Sequence, residues 1–171
     1  KGEDAWFTCN GDSFCSAGVS DGVGEWAKDG IDSGVFARGL MHGAKHLSVT
    51  AQNAEDVAGL LKAGMSLCEE DELQGSATAV VASLDRERGV MHTCNLGDSG
   101  YVIIRDNQVV YHSPQQEHFF GCPYQLQNGG RDTVKDAQVY SHPMEIGDVV
   151  LIGTDGLFDN LHDHELQDIV R

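Results

Sequence analysis

Three positions in this chain place carboxylates at the ends of predicted strands. They are Glu3-Asp4, Asp21-Gly22 and Asp155-Gly156. Hard divalent cations such as Mg2+ and Mn2+ prefer oxygen ligands, commonly a few carboxylates with waters in the remaining positions. An Asp-Gly step offers a carboxylate together with an uncrowded backbone carbonyl. A sheet that brings the three positions to one edge could therefore form a metal centre, although each Asp-Gly step taken singly is also typical of a turn.

Hydrophobic patterning predicts the elements that must position these carboxylates. Amphipathic helices are predicted from Ile31 to about Val49 and after Asn53, which is predicted to cap the second helix. Several β-prone runs are joined by very short connections, so these neighbours must be antiparallel. The order predicts an α+β fold with mainly antiparallel sheets and helices outside. Strands are predicted at 5–9, 14–20, 78–84, 90–96, 101–105, 109–112, 133–141 and 149–154, loops at 21–30 and 113–132, and a third helix from about 163.

Composition limits the classes of partner. The chain has 171 residues, with 11 Lys plus Arg against 27 Asp plus Glu and a formal net charge of −16. This balance argues against nucleic acid or anionic lipid as a partner, because either would need a basic face. No apolar run approaches the roughly 20 residues that span a bilayer, so we expect a soluble chain with no membrane span. The five scattered cysteines predict reduced thiols rather than disulfides or a zinc site.

Four motifs follow one another along the chain: Gly2–Ala5, Val19–Trp26, Asn95–Gly100 and Gly153–Asn160. A fifth segment, Gly75-Ser76-Ala77-Thr78, precedes the third predicted strand. Together these motifs resemble the metal-dependent protein serine/threonine phosphatases of the PPM, or type 2C, family, over essentially the whole chain. The subgroup with valine after the first Asp-Gly step matches best, and its members are largely mitochondrial or plastid enzymes. The resemblance implies a mitochondrial location, with plastid or cytoplasm as alternatives.

The resemblance also implies an architecture and a mechanism. The fold would be a β-sandwich of two mainly antiparallel sheets flanked by helix pairs (αββα), with two Mg2+ or Mn2+ ions at one edge. Asp21 would bridge the metals, Gly22 would contribute its carbonyl and Asp155 would bind the second metal. A hydroxide held between metals roughly 3.5–4 Å apart would attack the phosphorus of phosphoserine or phosphothreonine in a protein substrate. Asp21 and Asp155 would thus be catalytic through metal-bound water.

Further residues receive roles from the same resemblance. Glu3 and Asp4 would orient metal-bound waters around the centre. Glu117 and Asp159 match positions linked in the family to a looser third metal, although each could equally be a solvated loop carboxylate. Lys1 is a candidate stand-in for the family's phosphate-contacting basic residue.

Several residues depart from the family pattern or have another interpretation. Val23 replaces the histidine that many members carry as a general acid, so metal-bound water would have to protonate the leaving oxygen. His42 and His46 are predicted to be surface residues, because no third ligand follows at metal-site spacing. Asp98 is predicted to be structural in a tight turn. Trp26 is predicted to anchor its loop, with shaping of the substrate entrance as the alternative.

The ends of the chain also depart from the family. The family's last aspartate ligand lies beyond the Gly-Leu-Phe-Asp-Asn segment and has no counterpart before Arg171. We therefore expect residues 1–171 to form a single phosphatase-like domain that is incomplete at both ends. The leading prediction is a metal-dependent serine/threonine phosphatase. The alternative is a catalytically inactive phosphatase-like binding or regulatory module. A third hypothesis is an acidic α+β structural domain in which the Asp-Gly steps are only turns.

Overall fold

The computed structural model describes residues 2–171. Its helices are α1 (Ser33–Thr50), α2 (Val57–Glu70), α3 (Asp155–Phe158) and α4 (Asp163–Ile169), with short 3-10 helices at Gly24–Asp29 and Val134–Asp136. Its strands are β1 (Asp4–Asn10), β2 (Phe14–Asp21), β3 (Ser76–Ala77), β4 (Ala79–Asp85), β5 (Val90–Leu96), β6 (Gly100–Arg105), β7 (Gln108–His112), β8 (Glu117–Phe119), β9 (Cys122–Pro123), β10 (Leu126–Gln127), β11 (Gln138–Pro143) and β12 (Val149–Gly153).

The first sheet follows from side-chain alternation along its strands. In β1, Ala5 and Phe7 are buried while their immediate neighbours are exposed, which is the period-two pattern that lets one face of a strand pack. The sheet has the order β1-β2-β4-β5-β11, and all neighbouring pairs are antiparallel. In this register Asp4 lies opposite Asp21. Two of the three predicted carboxylate positions therefore meet at one end of the β1–β2 pair.

A second sheet, in the order β12-β6-β7, packs against the first. Gly153 at the end of β12 lies opposite Gly100 at the start of β6. This pairing brings the segments that carry Asp155 and Asp98 to the same edge. The buried apolar side chains between the two sheets are Val80, Ala82, Met91, Tyr101 and Ile103.

Helices α1 and α2 cover the outer face of the first sheet with their apolar sides. Asp32 and Asp56 each accept a hydrogen bond of 2.9 Å from a backbone N–H in the first turn of these helices, so both helices have aspartate caps. The prediction that Asn53 caps α2 is wrong. Its side-chain oxygen instead accepts hydrogen bonds from the backbone N–H groups of Glu55 and Asp56 in the preceding turn.

The outer face of the second sheet is covered by α3 and α4. Leu166 of α4 is buried against Val102 and Ile104 of β6, and Leu157 packs at the margin of this cluster. Helices therefore lie on both outer faces of a two-sheet sandwich, which confirms the predicted αββα fold. No helix within residues 2–171 is long and apolar enough to cross a membrane.

The predicted loop at 113–132 is wrong in part, because this segment contains β8, β9 and β10. Leu126 is fully buried and pairs with Ala77, so β10 is held against β3 by an apolar side chain and a ladder. The predicted strand at 133–141 begins instead as a 3-10 helix, in which Thr133 and Asp136 form a reciprocal capping box. The five cysteines are free, as predicted, and Cys68 and Cys94 are fully buried.

Candidate metal centre

A pocket of about 430 Å³ lies at the sandwich edge where β2 and β12 end. Its wall is strongly acidic, and no Lys or Arg is among the described residues that line it. Because this pocket collects carboxylates from distant parts of the sequence, it is the candidate metal centre. The carboxylates that line it belong to Glu3, Asp21, Asp98, Glu117, Asp155 and Asp159.

Asp21 is the most perturbed carboxyl group in this pocket. It ends β2, and its carboxyl group is within hydrogen-bonding reach of Asp155. Burial, the contact with Asp155 and the nearby charges of Asp4 and Asp98 together raise the pKa of Asp21 to about 8. Removal of water and like-charged neighbours both disfavour the ionised form. The arrangement therefore favours a compensating cation.

Asp98 also belongs to this carboxylate cluster, which the sequence prediction of a purely structural role did not include. Burial and the charge of Asp155 raise the pKa of Asp98 to about 6, with smaller contributions from Glu117 and Asp159. A hydrogen bond to its own backbone N–H opposes this shift, consistent with its position in a turn. Its place after β5, at the same sheet edge as Asp21, was a signal that could have revealed it.

Gly22 is required by close backbone packing. A Cβ atom at this position would lie 2.7 Å from the backbone carbonyl of Ser33 at the start of α1. Its backbone N–H donates a hydrogen bond to the carbonyl of Glu3 (3.2 Å), and it forms an isolated β-bridge with Ala77. The turn that follows Asp21 is therefore held by packing against Ser33 and by backbone contacts with Glu3 and Ala77.

Thr78 is a further positioning residue, and the sequence analysis gave it no individual role although it noted the Gly75–Thr78 motif. Its backbone N–H donates to the carbonyl of Asp21 (2.9 Å), while its hydroxyl accepts from the Asp21 N–H at 3.4 Å. The same hydroxyl lies 2.6 Å from the hydroxyl of Ser99. Thr78 thus connects the turn that carries Asp98 to the end of β2.

The Trp26 indole N–H donates a hydrogen bond of 2.7 Å to the Ser76 hydroxyl, which in turn donates to Gln125 Oε1 at 2.5 Å. The carbonyl of Ser76 accepts from the backbone N–H of Val23 at 2.9 Å. Trp26 is therefore an anchor for its loop, as predicted. It links the turn after Asp21 to the segment 113–132, which we call the pocket-wall segment.

The pocket-wall segment is itself clamped internally. Asp132 is buried and lies 2.9 Å from His118 Nε2, and it also accepts a hydrogen bond of 3.1 Å from the backbone N–H of Gln125. The His118 ring stacks on Tyr124, with ring centroids 4.1 Å apart. Glu117, the neighbour of His118, lines the pocket.

The remaining predicted residues divide between the pocket and its surroundings. Glu3 lines the pocket, whereas Asp4 lines an adjacent groove that also contains Arg38. His42 and His46 are exposed on α1, as predicted. Lys1 lies outside the described residues.

The donor set fits a hard divalent cation. Among residues 2–171, no three or more His, Cys, Asp or Glu side chains are grouped so that they could hold a metal ion by themselves. The predicted ligand set needs only two side chains, those of Asp21 and Asp155, with the Gly22 carbonyl and water supplying other oxygens. Such partly hydrated, all-oxygen coordination suits Mg2+ or Mn2+. Burial, followed by the contact with Asp155 and nearby carboxylate charges, raises the pKa of Asp21 to about 8, and a divalent cation would offset all of these effects.

An antiparallel αββα sandwich with a carboxylate pocket at its sheet edge defines the class of PP2C-type phosphatase domains. The family model described as "Stage II sporulation protein E (SpoIIE)" matches residues 15–170. A solved structure of the PP2C phosphatase domain of SpoIIE from Bacillus subtilis has a TM-score of 0.65 over 96% of the chain and 45% of that chain, at 18% identity, which shows a shared fold. The chain belongs to the PP2C-type, or PPM, family of protein phosphatases.

More similar relatives agree with this assignment. The chain is 39% identical to "Probable protein phosphatase 2C 55" of Arabidopsis thaliana, over 99% of the chain and 35% of the relative. It is also 39% identical to "Protein phosphatase PTC7 homolog fig" of Drosophila virilis, over 99% of the chain and 58% of the relative. The solved structure of the photosystem II phosphatase PBCP has a TM-score of 0.84 at 32% identity and covers 99% of the chain and 65% of that chain. The chain thus spans little more than half the length, or less, of these two curated relatives.

Proposed function

We propose that this protein hydrolyses phosphate esters of serine and threonine side chains in phosphorylated proteins, using two divalent cations, Mg2+ or Mn2+, in the acidic pocket. The observation that carries the proposal is the convergence of Asp21, Asp155 and Asp98 at one sheet edge, where burial and mutual repulsion raise the pKa of Asp21 to about 8. Membership of the PP2C-type family supports the same activity.

The ligand roles follow from the chemistry of each group. The Asp21 carboxylate, the Gly22 carbonyl and the Asp155 carboxylate would hold the cations, and Glu3 and Asp4 would orient water around them. When bound, the cations would lower the pKa of water and neutralise the charge of the phosphate group. A phosphorylated side chain could therefore enter a pocket whose own wall is acidic.

The outer positions have more limited roles in this proposal. Glu117 and Asp159, which line the pocket, would hold a looser third cation, and Lys1 would contact the phosphate. The bond between phosphorus and the serine or threonine oxygen breaks during hydrolysis, and that oxygen must gain a proton. Val23 has no ionisable group, so we assign the source of this proton to water rather than to the residue at this position.

Val23 also motivates a second candidate function, a phosphatase-like binding module without turnover. Such a module would bind a phosphorylated protein at the same pocket and release it unchanged. Capture of a phosphopeptide by the natural protein with no phosphate release in millimolar Mg2+ or Mn2+ would favour this alternative.

The decisive experiment measures phosphate release from a phosphoserine peptide by the natural full-length protein, with and without millimolar Mn2+ or Mg2+. Activity should require the metal, and Asp21→Asn or Asp155→Asn should reduce it by more than the about 10–100-fold typical of losing a partner that only orients a ligand. Asp12→Asn is the matched control, because Asp12 is exposed in the β1–β2 turn at the other end of the hairpin from Asp21. Metal-independent turnover, or full activity in Asp21→Asn, would refute the proposal.

For location we propose the mitochondrion, on the basis of the subgroup with valine after the Asp-Gly step. The name of the photosystem II phosphatase relative supports the plastid alternative, and the cytoplasm is the third option. Fractionation of cells that express the natural protein with a C-terminal tag distinguishes the three. Recovery outside the mitochondrial fraction would refute the first assignment.

A further inference from the structure

Two aromatic side chains stand in solvent at the rim of the acidic pocket. Phe119 is 69% exposed and Phe120 is 97% exposed, at the tip of the β8–β9 hairpin. Phe120 also lines the pocket itself. Single exposed apolar residues are common on protein surfaces, but two adjacent phenylalanines beside a candidate active site form a surface on which a ligand can pack. We call these two residues the phenylalanine tip.

The phenylalanine tip is held in place by the hairpin beneath it. The backbone N–H of Gly121 donates a hydrogen bond of 3.1 Å to the Glu117 carboxylate, which closes the turn. At the base of the hairpin, the backbone N–H of Tyr124 donates to the carbonyl of Gln116 at 2.9 Å. The clamp between His118 and Asp132 ties the same hairpin to the rest of the pocket-wall segment. The backbone that carries the two side chains is therefore already ordered, which lowers the entropy cost of binding a ligand to them.

The charge around the phenylalanine tip selects the kind of ligand. The pocket carries six carboxylates and no described Lys or Arg, and the whole chain has a formal charge of −16. Cations in the pocket would compensate the phosphate group, whereas Glu117 and Asp159 line the same pocket as Phe120 and would act on the residues beside the phosphate. Acidic neighbours would be repelled and basic neighbours would be attracted.

We propose that the substrates are phosphorylated segments with an apolar side chain and a basic side chain close to the phosphorylated residue. The apolar side chain packs on Phe119 and Phe120, and the basic side chain lies near Glu117 or Asp159, where it takes the place of the loosely held third cation of the proposed function. This inference rests on the proposed phosphatase function and names its substrate class. It assigns the phenylalanine tip to substrate selection rather than to the chemical step.

The test compares two phosphoserine peptides of equal length with the natural full-length protein in Mn2+. One peptide carries leucine and arginine beside the phosphoserine, and the other carries serine and glutamate. Fluorescence anisotropy recorded after rapid mixing, before the peptide is hydrolysed, gives the Kd of each peptide, and phosphate release gives kcat/KM. We expect the first peptide to bind about tenfold more tightly, because it buries an apolar side chain and replaces a like charge by an opposite one.

Variants of the phenylalanine tip then test whether the preference between the two peptides depends on Phe119 and Phe120. The double substitution Phe119→Ala with Phe120→Ala should reduce the preference between the peptides by about fivefold or more. Ile146→Ala is the control, because Ile146 is a fully exposed apolar residue that precedes β12, at the opposite end of that strand from Asp155. Both phenylalanines are exposed, so the melting temperature of the double variant should match that of the natural protein.

The outcomes separate this inference from the proposed function. Equal affinity for the two peptides, tighter binding of the acidic peptide, or an unchanged preference in the double variant would overturn it. A dimer that dissociates in the double variant would also overturn it, because a second copy would then be the occupant of the phenylalanine tip. A binding preference that is retained while neither peptide nor p-nitrophenyl phosphate is hydrolysed would support the docking surface and refute the phosphatase.

Discussion

The carboxyl groups of Asp21 and Asp155 lie within hydrogen-bonding reach of each other, although they come from opposite ends of the chain. Asp21 ends a strand of the first sheet, and Asp155 follows a strand of the second. The contact therefore exists only when the sandwich has assembled. Three predictions concern this contact and the pocket around it, and a fourth concerns an ion pair at the other end of β12.

Metal should stabilise the folded protein through Asp21. A ligand that binds only the native state at a hundredfold excess over its Kd contributes about 2.7 kcal/mol. We expect millimolar Mn2+ to raise the melting temperature of the natural sequence and of Asp12→Asn, and to leave Asp21→Asn nearly unchanged. Thermal melts followed by circular dichroism measure this. An equal shift in Asp21→Asn would place the cation elsewhere.

The two Asp-Gly steps should respond differently to an added methyl group. Gly22→Ala places a Cβ 2.7 Å from the Ser33 backbone, whereas Gly156→Ala places one no closer than 3.7 Å to the Thr154 hydroxyl. We expect Gly22→Ala to reduce the free energy of unfolding by about 1–3 kcal/mol, and Gly156→Ala to change it by less than about 0.5 kcal/mol. Urea denaturation measures both. Similar values for the two variants would contradict the packing role of Gly22.

Loss of the Ser76 hydroxyl should loosen the pocket wall. Ser76 is fully buried, and Ser76→Ala leaves both the Trp26 N–H and Gln125 Oε1 without their partner, at a cost of about 1–3 kcal/mol. Hydrogen exchange should rise in peptides that cover 113–127. Ser66→Ala, on the half-buried side of α2, is the control. Exchange that stays unchanged in Ser76→Ala would show that the segment is held by other contacts.

Acid should remove a stabilising ion pair at the far end of β12. The side chain of Asp148 is 2% exposed, and its carboxylate accepts hydrogen bonds of 2.8 and 2.7 Å from Arg105. These bonds hold the pKa of Asp148 below its usual value of 3.8. Because the folded-state pKa is depressed, the ionised group stabilises the fold above the unfolded-state pKa. This stability is lost as the pH falls through the folded-state pKa.

We therefore expect Asp148→Asn to lower the melting temperature by a few degrees at pH 7, with a difference that shrinks as the pH falls below about 4. Melts of the natural sequence and the variant between pH 7 and pH 3 check this, with Asp12→Asn as the control. If the difference in melting temperature stays constant from pH 7 to pH 3, Asp148 stabilises the fold through packing rather than through its charge.

The regular elements were predictable because their side chains follow simple periods. β5 was predicted with the bounds that it has, Val90–Leu96, and α1 began only two residues later than its predicted start. The cap of α2 was predicted wrongly, because Asn53 and Asp56 have similar local capacity to accept hydrogen bonds. Only the packing of the helix decides which of them lies at its start.

The residues of the pocket could be predicted only where a recognisable sequence motif lies at the end of a predicted strand. Asp21 and Asp155 were predicted as site residues, and the structure brings them together. Thr78 was missed, because its role depends on contacts with Asp21 and Ser99 that no local pattern reveals. The clamp between His118 and Asp132 joins the three-residue strand β8 to the turn after β10, and elements this short have no periodic signal in the sequence.

The two carboxylates of the Asp21–Asp155 pair are added to the chain at different times during translation. A ribosome adds about 5–20 residues per second, so it needs on the order of ten seconds to pass from Asp21 to Asp155. Until then the nascent chain has one half of the carboxylate pair and no partner for it. A chain that is still being translated therefore lacks the Asp21–Asp155 carboxylate pair until the second sheet has been made.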